Sequence, residues 1–170
     1  MIGILAGLAY ANAIEWAFHK YVLHEIGRKK SNFWSFHWSE HHKNCRKHDM
    51  HDPAYQSSLL EWNAQSKEVA ALALGVAIHL PLLPVAPLFT LTIGYSAVDY
   101  YFKHKKSHID PEWSKTYLPW HYDHHMGPDQ DANWGVTHPW FDYVFGTRKE
   151  YLGTEEEKRK IERLNAKLAT

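Results

Sequence analysis

Apolar and polar segments alternate along the chain. Residues 2–18 are almost entirely apolar, residues 25–66 are polar, and residues 68–102 are apolar again. A helix over residues 2–18 would be about 25 Å long, slightly shorter than the hydrocarbon core of a bilayer. This segment predicts a membrane helix. A buried helix of a soluble core is the alternative, and a signal peptide fits poorly because no basic residue precedes the apolar run.

Three prolines divide the second apolar segment. Pro81, Pro84 and Pro87 lie near its middle. Proline interrupts a helix because it lacks an N–H group and clashes with the preceding turn. We therefore expect two helices, about 66–80 and 87–103, joined by a bend.

The C-terminal segment predicts a helix over about 154–168. Glutamates at its start and basic residues after them complement the helix dipole. One apolar stripe runs along it, so we expect this helix to dock on the rest of the domain and to carry no chemistry. The stripe consists of Ile161, Leu164 and Leu168.

Length, net charge and cysteine content exclude several classes of protein. At 170 residues the chain fits one domain, residues 1–170. Lys and Arg together number 19, as do Asp and Glu, so we expect no nucleic-acid partner. The single cysteine, Cys45, excludes an internal disulfide framework and a cysteine-based zinc site.

Basic residues are confined to two regions. All 19 Lys and Arg fall in residues 20–67 or 103–170. Cytoplasmic segments of membrane proteins are rich in Lys and Arg, so we expect the N-terminus and the bend at 81–87 to lie outside. The sequence thus predicts an all-α integral membrane bundle with a cytoplasmic helical cap. A mean hydropathy of −0.50 agrees with this, because more than half of the chain would be cytoplasmic.

Ten of the fourteen histidines occur in four closely spaced boxes. Histidines three or four residues apart share one face of an α-helix, which describes the third and fourth boxes. The first box has a five-residue spacing, so its imidazoles converge only near a helix end or across a π-bulge. The second box is expected on a helix over about 33–45. The boxes are His19 and His24; His37, His41 and His42; His104 and His108; and His121, His124 and His125.

The boxes indicate a metal site at the cytoplasmic ends of the apolar helices. A buried imidazole needs a partner for each ring nitrogen, and metal ions are common partners. Ten imidazoles exceed one tetrahedral or octahedral site and suit two metal ions close together. A polar patch on an exposed helix is the alternative.

Other polar residues receive secondary roles. Glu15, one turn before His19, is expected to orient that imidazole, or else to act as a capping or interfacial charge. His48 and His51 are expected in a loop near the site entrance, and His79 in a single polar contact. Further candidates for an additional ligand or an outer contact are His138, Glu40 and Asp123.

Aromatic residues are unusually frequent, with eight Trp and ten Tyr. Such an excess fits a membrane-interface protein, although a large soluble core can also use it. Six aromatic residues near the boxes are candidates for the wall of an apolar channel, with ordinary packing as the alternative for each. They are Trp34, Phe36, Trp38, Trp120, Tyr122 and Trp134.

The order of the boxes resembles a known family. The spacings H-x4-H, H-x3-HH, H-x3-H and H-x2-HH precede the segment N-W-G-V-T-H-P-W-F-D-Y-V-F-G-T at 133–147. Over about residues 15–147 this pattern resembles the membrane-bound fatty acid hydroxylase and sterol desaturase superfamily. The resemblance implies a helical membrane enzyme with two iron ions, ligated by the ten box histidines, with His138 as a further candidate.

The resemblance also implies the reaction and its partners. We expect an O2-dependent di-iron hydroxylase that inserts oxygen into an unactivated C–H bond of a lipid. A separate electron donor, a ferredoxin or a b-type cytochrome with its reductase, would supply electrons. A desaturase with the same centre is one alternative. A non-catalytic zinc-binding membrane protein is another, because zinc binds nitrogen ligands more tightly than ferrous iron does.

Overall fold

The computed structural model describes the backbone of residues 1–168 and the side chains up to Arg163. Within these residues every regular element is helical, which confirms the all-α prediction. The elements are α1 (Ile2–Ala17), π1 (Phe18–Ile26), π2 (His37–His42), α2 (Lys43–Lys47), a 3-10 turn (Pro53–Gln56), α3 (Ala64–Ala77), a second 3-10 turn (Leu80–Leu82), α4 (Pro87–Ile109), α5 (Pro111–Tyr117), α6 (Pro119–Met126), α7 (Trp140–Val144) and α8 (Glu155–Leu168).

Helix α4 is the centre of the fold. It packs against α1 on one side and against α3 and α5 on others. The crossing with α1 is close: a Cβ atom added at Gly7 would lie 2.7 Å from the Cβ of Thr92. Helix α4 also continues six residues beyond the predicted end at 103, and these extra turns carry the third histidine box.

The prediction of membrane-crossing helices does not agree with the helices of the structure. Helix α1 has 16 residues and α3 has 14, whereas α4 has 23 but ends in a basic segment. Among residues 1–168, no helix combines the length and the apolar character needed to cross a membrane.

Two π-helical segments carry the first two boxes. Helix α1 continues directly into π1, and the second box forms the whole of π2. A π-helix closes its hydrogen bonds over five residues instead of four. Residues five apart can therefore lie on one face, and of the two possibilities for His19 and His24 the structure has the π-helical one.

Helix α8 begins at Glu155, close to the predicted start. The side chain of Ile161 is 49% exposed and so is not buried against the domain. The side chains of Leu164 and Leu168 lie outside the described residues. One docking contact is made by a basic residue instead, since Lys160 donates to the carbonyl of Met126.

Candidate metal centre

The ten box histidines form the interior of the protein. Each is 2% exposed or less. Burial lowers the pKa of His19 to about 4, and it lowers the pKa of His37 and His42 well below the ordinary imidazole range. Buried imidazoles of this kind stay neutral, and the neutral ring is the form that offers a lone pair to a metal ion.

Five of these imidazoles converge in what we call group A. Their ligand atoms all lie within 4.8 Å of one another. The Nε2 atom of His42 is 3.1 Å from that of His24, 3.2 Å from that of His37 and 3.1 Å from that of His124. The Nε2 atoms of His19 and His37 are 3.0 Å apart. Group A consists of His19, His24, His37, His42 and His124.

The other five imidazoles form group B. The Nε2 atom of His108 lies 3.1 Å from that of His104 and 3.0 Å from that of His121. His41 packs against the same rings, with its centroid 4.4 Å from that of His108 and 4.8 Å from that of His125. Group B consists of His41, His104, His108, His121 and His125.

Helix type decides which histidines share a group. The pairs on π1 and π2 with five-residue spacing both point into group A, whereas the α-helical pairs with four-residue spacing point into group B. The two adjacent pairs are split, because His41 and His125 join group B while His42 and His124 join group A. The groups adjoin where the rings of His42 and His125 lie 4.3 Å apart.

The arrangement leaves lone pairs facing one another. His19 and His124 donate from Nδ1 to the carbonyls of Trp134 and Ala132, both at 2.7 Å. Their Nε2 atoms therefore carry no proton when the rings are neutral. The Nε2 atom of His42 has three nitrogen neighbours, and one N–H group could satisfy one of them at most. A cation between these atoms would resolve the repulsion, so the residues fit a metal ion.

The nitrogen spacing also bears on coordination number. With metal–nitrogen bonds of about 2.1 Å, neighbouring ligands lie about 3.0 Å apart in an octahedron and about 3.4 Å apart in a tetrahedron. The closest Nε2 pairs lie at 3.0–3.2 Å in both groups. This spacing favours five or six ligands around each ion over four.

Carbonyl groups of the loop 132–137 orient the imidazoles of group A, and two carboxylates hold that loop. Asp142 accepts hydrogen bonds from the amides of Trp134 and Gly135, both at 2.8 Å. Glu15 accepts from the amides of Val136 and Thr137 and from the Thr137 hydroxyl. Four consecutive amides are thus fixed by carboxylates. Glu15 does not contact His19, so its predicted role in orienting that ring is wrong; it acts on the loop.

Two further carboxylates orient group B. Asp52 lies 2.8 Å from Nδ1 of His41, and it also caps the following 3-10 turn. Glu68 lies 2.5 Å from Nδ1 of His104 and accepts from the hydroxyl of Tyr55 at 2.7 Å. Sequence reasoning missed both residues: Asp52 resembles an ordinary turn residue, and Glu68 stands in a helix with no histidine nearby in sequence.

Three other predicted outer residues do not touch the imidazole groups. Glu40 forms an ion pair with Lys67. Asp123 accepts from the Leu152 amide and pairs with Arg148, fixing the C-terminal segment instead. His138 stacks on Trp140 with the two rings 4.6 Å apart. None of the three belongs to a metal-sized cluster among the described residues.

The remaining histidines and Cys45 lie outside the two groups. His48 is exposed, and neither His48 nor His51 lines the cavity beside group A, so the loop is not at its entrance. His79 accepts from the Tyr10 hydroxyl at 3.0 Å, in agreement with a simple polar contact. The Cys45 sulfur faces Nδ1 of His108, the nitrogen that already donates to a backbone carbonyl. Cys45 therefore lies behind group B.

A cavity of about 610 Å³ reaches group A. It runs between α1, α3 and α4, and His19 and His37 form part of its wall. Of the six aromatic residues proposed for a channel wall, Phe36 lines it. The others pack elsewhere: Trp38, for example, stacks on His42, and Tyr122 belongs to a small apolar core with Met126.

These features define a class of protein, an all-helical domain whose interior is built from imidazoles that could hold metal ions. The fatty acid hydroxylase family model matches residues 4–147, and the chain belongs to this family. The resemblance inferred from the boxes is thereby confirmed, and membership indicates an oxidoreductase. Neither the comparison with curated proteins nor the comparison with solved structures gives a match.

Proposed function

We propose that the chain is an O2-dependent hydroxylase that uses two iron ions to insert oxygen into a C–H bond of a lipid. The observation that carries the proposal is the pair of buried imidazole groups, in which unprotonated Nε2 atoms face one another at about 3 Å. Family membership supports the reaction class. The close nitrogen spacing supports iron with five or six ligands over tetrahedral zinc.

The residues of the chain would divide the work. Groups A and B would hold one ion each, and the ions would supply the O2 activation and C–H oxidation. The loop 132–137, Asp52 and Glu68 keep the imidazoles in the tautomer that leaves Nε2 free. Group A borders the cavity through His19 and His37, so we assign the oxidised carbon to that side. The apolar walls keep water away from it.

We further propose that the protein works at a membrane, with the histidine groups on the cytoplasmic side. The end of the fold opposite the imidazoles exposes large apolar side chains, including Ile2 (85%), Leu5 (67%) and Val85 (80%). No Lys or Arg occurs in residues 1–19 or 68–102. An exposed apolar surface without basic residues suits contact with lipid chains.

The proposed reaction needs a partner. Insertion of one oxygen atom from O2 consumes two electrons, which histidine ligands cannot supply. A separate donor, a ferredoxin or a b-type cytochrome with its reductase, is therefore part of the proposal.

The proposal predicts a specific change in cellular lipids. Cells that express the intact chain should contain a lipid one oxygen heavier than its precursor, and cells that express His124→Ala should not. The oxygen should come from isotopically labelled O2, and iron chelation should suppress the product. Lipid mass spectrometry measures both. Identical lipids in the two strains would contradict the proposal, and a product that has lost two hydrogens instead would identify a desaturase.

A further inference from the structure

The cavity beside group A has two chemically different ends. Near the imidazoles its wall contains the ion pair of Asp99 and Lys103, together with Thr137 and His138. Further along, the wall is formed by apolar side chains such as Leu8, and the Tyr10–His79 hydrogen bond crosses there from α1 to the end of α3.

The polar end also reaches the surface. The side chains of Lys103 and Asp99 are 29% and 25% exposed. An amphiphile can therefore keep its polar head in water beside group A while its tail runs along the apolar wall. The reverse orientation would bury a polar head among aliphatic side chains without partners, which is unfavourable.

One position on α3 limits the space for such a tail. Gly75 lines the cavity, and a Cβ atom added there would meet nothing within 4 Å. It lies seven residues from Glu68, about 10 Å along the helix. A larger side chain at Gly75 would project into open cavity space and would leave the region next to group A unchanged.

We propose that Gly75 sets the length of the lipid tail that the cavity accepts, with the tail directed away from the imidazole groups. This inference rests on the proposed function and deepens it. It identifies the substrate as an amphiphile with an extended apolar tail. The oxidised carbon then lies near the polar head and not at the end of the tail.

The chain provides a matched control. Gly94 is also a helical glycine whose added Cβ would meet nothing within 4 Å, but it does not line the cavity. Both positions lie inside helices, where replacing glycine favours the helix. Gly75→Leu and Gly94→Leu therefore differ in whether the new side chain enters the cavity.

The test measures binding of linear saturated fatty acids, in steps of two carbons, to the zinc-loaded full-length chain. Gly75→Leu should bind the longer acids more weakly, by about fourfold for each methylene displaced from the cavity. Its affinity for the shortest acids should be unchanged. Gly94→Leu should match the wild type at every length, and Gly75→Ala should give a smaller shift in the same direction.

Two outcomes would overturn the inference: unchanged length dependence in Gly75→Leu, or the same shift in Gly94→Leu. Unfolding temperatures of the variants establish that both remain folded. The result is separable from the proposed function. A binding shift in a chain that forms no oxygenated lipid would support the tail site and reject the hydroxylase. An oxygenated lipid with no shift would do the reverse.

Discussion

Replacing His42 with alanine should remove metal from group A and reduce lipid oxidation to background. Three other Nε2 atoms lie within 3.2 Å of the His42 Nε2 atom, so this imidazole is central to the group. Loss of a mere hydrogen-bond partner of a metal ligand lowers metal affinity or activity by about 10–100-fold. Loss of the ligand itself should exceed about 100-fold. Metal analysis of the purified variant and the lipid assay measure the two effects.

His48→Ala is the matched control for this variant. His48 follows the same box in sequence, but its side chain is exposed and outside both groups. We expect unchanged metal content and unchanged activity. A similar loss in both variants would contradict the assignment of His42, and circular dichroism shows whether His42→Ala has kept its helices.

Replacing Asp142 with alanine should cause the largest loss of stability among changes outside the boxes. This carboxylate is fully buried. It accepts from the amides of Trp134 and Gly135 and from the hydroxyl of Thr147. Alanine leaves these donors without an acceptor, and each buried unpaired group costs about 1–3 kcal/mol. We expect the free energy of unfolding to fall by about 3–5 kcal/mol in denaturant titrations.

The same change should also weaken metal binding. Asp142 fixes the loop whose Trp134 carbonyl accepts from His19, so metal affinity should fall about 10–100-fold. Asp129→Ala is the control, since Asp129 forms a partly exposed ion pair with Lys149. Such pairs contribute at most about 1 kcal/mol. Equal metal affinity in wild type and Asp142→Ala would show that the loop does not position the ligand.

Box spacing made the histidine clusters predictable to a large extent. Residues four apart on an α-helix face one way, which brought His104 together with His108. The five-residue spacing of His19 and His24 predicted either a helix end or a π-bulge, and π1 provides the second. What spacing could not give was the division of adjacent histidines. Neighbours such as His41 and His42 point in different directions, and their groups depend on how helices meet.

The carboxylates were not predictable, because their contacts are distant in sequence or hidden by a second role. Glu15 lies one turn from His19 but reaches Val136, 121 residues away. Glu68 contacts His104 from a different helix. Asp52 was interpreted as a turn residue, which it is, and it also holds His41.

The apolar segments predicted helices in the right places but not their character. Mean apolarity locates α1 and α3, yet it does not say that π1 continues α1 into a polar, histidine-bearing segment, or that α3 ends at Ala77. Helix ends depend on turn geometry near Pro81 and Pro84. Such local geometry is weakly encoded in the apolar pattern.

The most direct test of the account is the position of the metal ions. Crystals of iron-loaded protein should give anomalous diffraction at the iron absorption edge. We expect two iron peaks per chain, one about 2.1 Å from the Nε2 atoms of group A and the other in the same relation to group B. A single peak, no peak, or peaks remote from both imidazole groups would contradict the account.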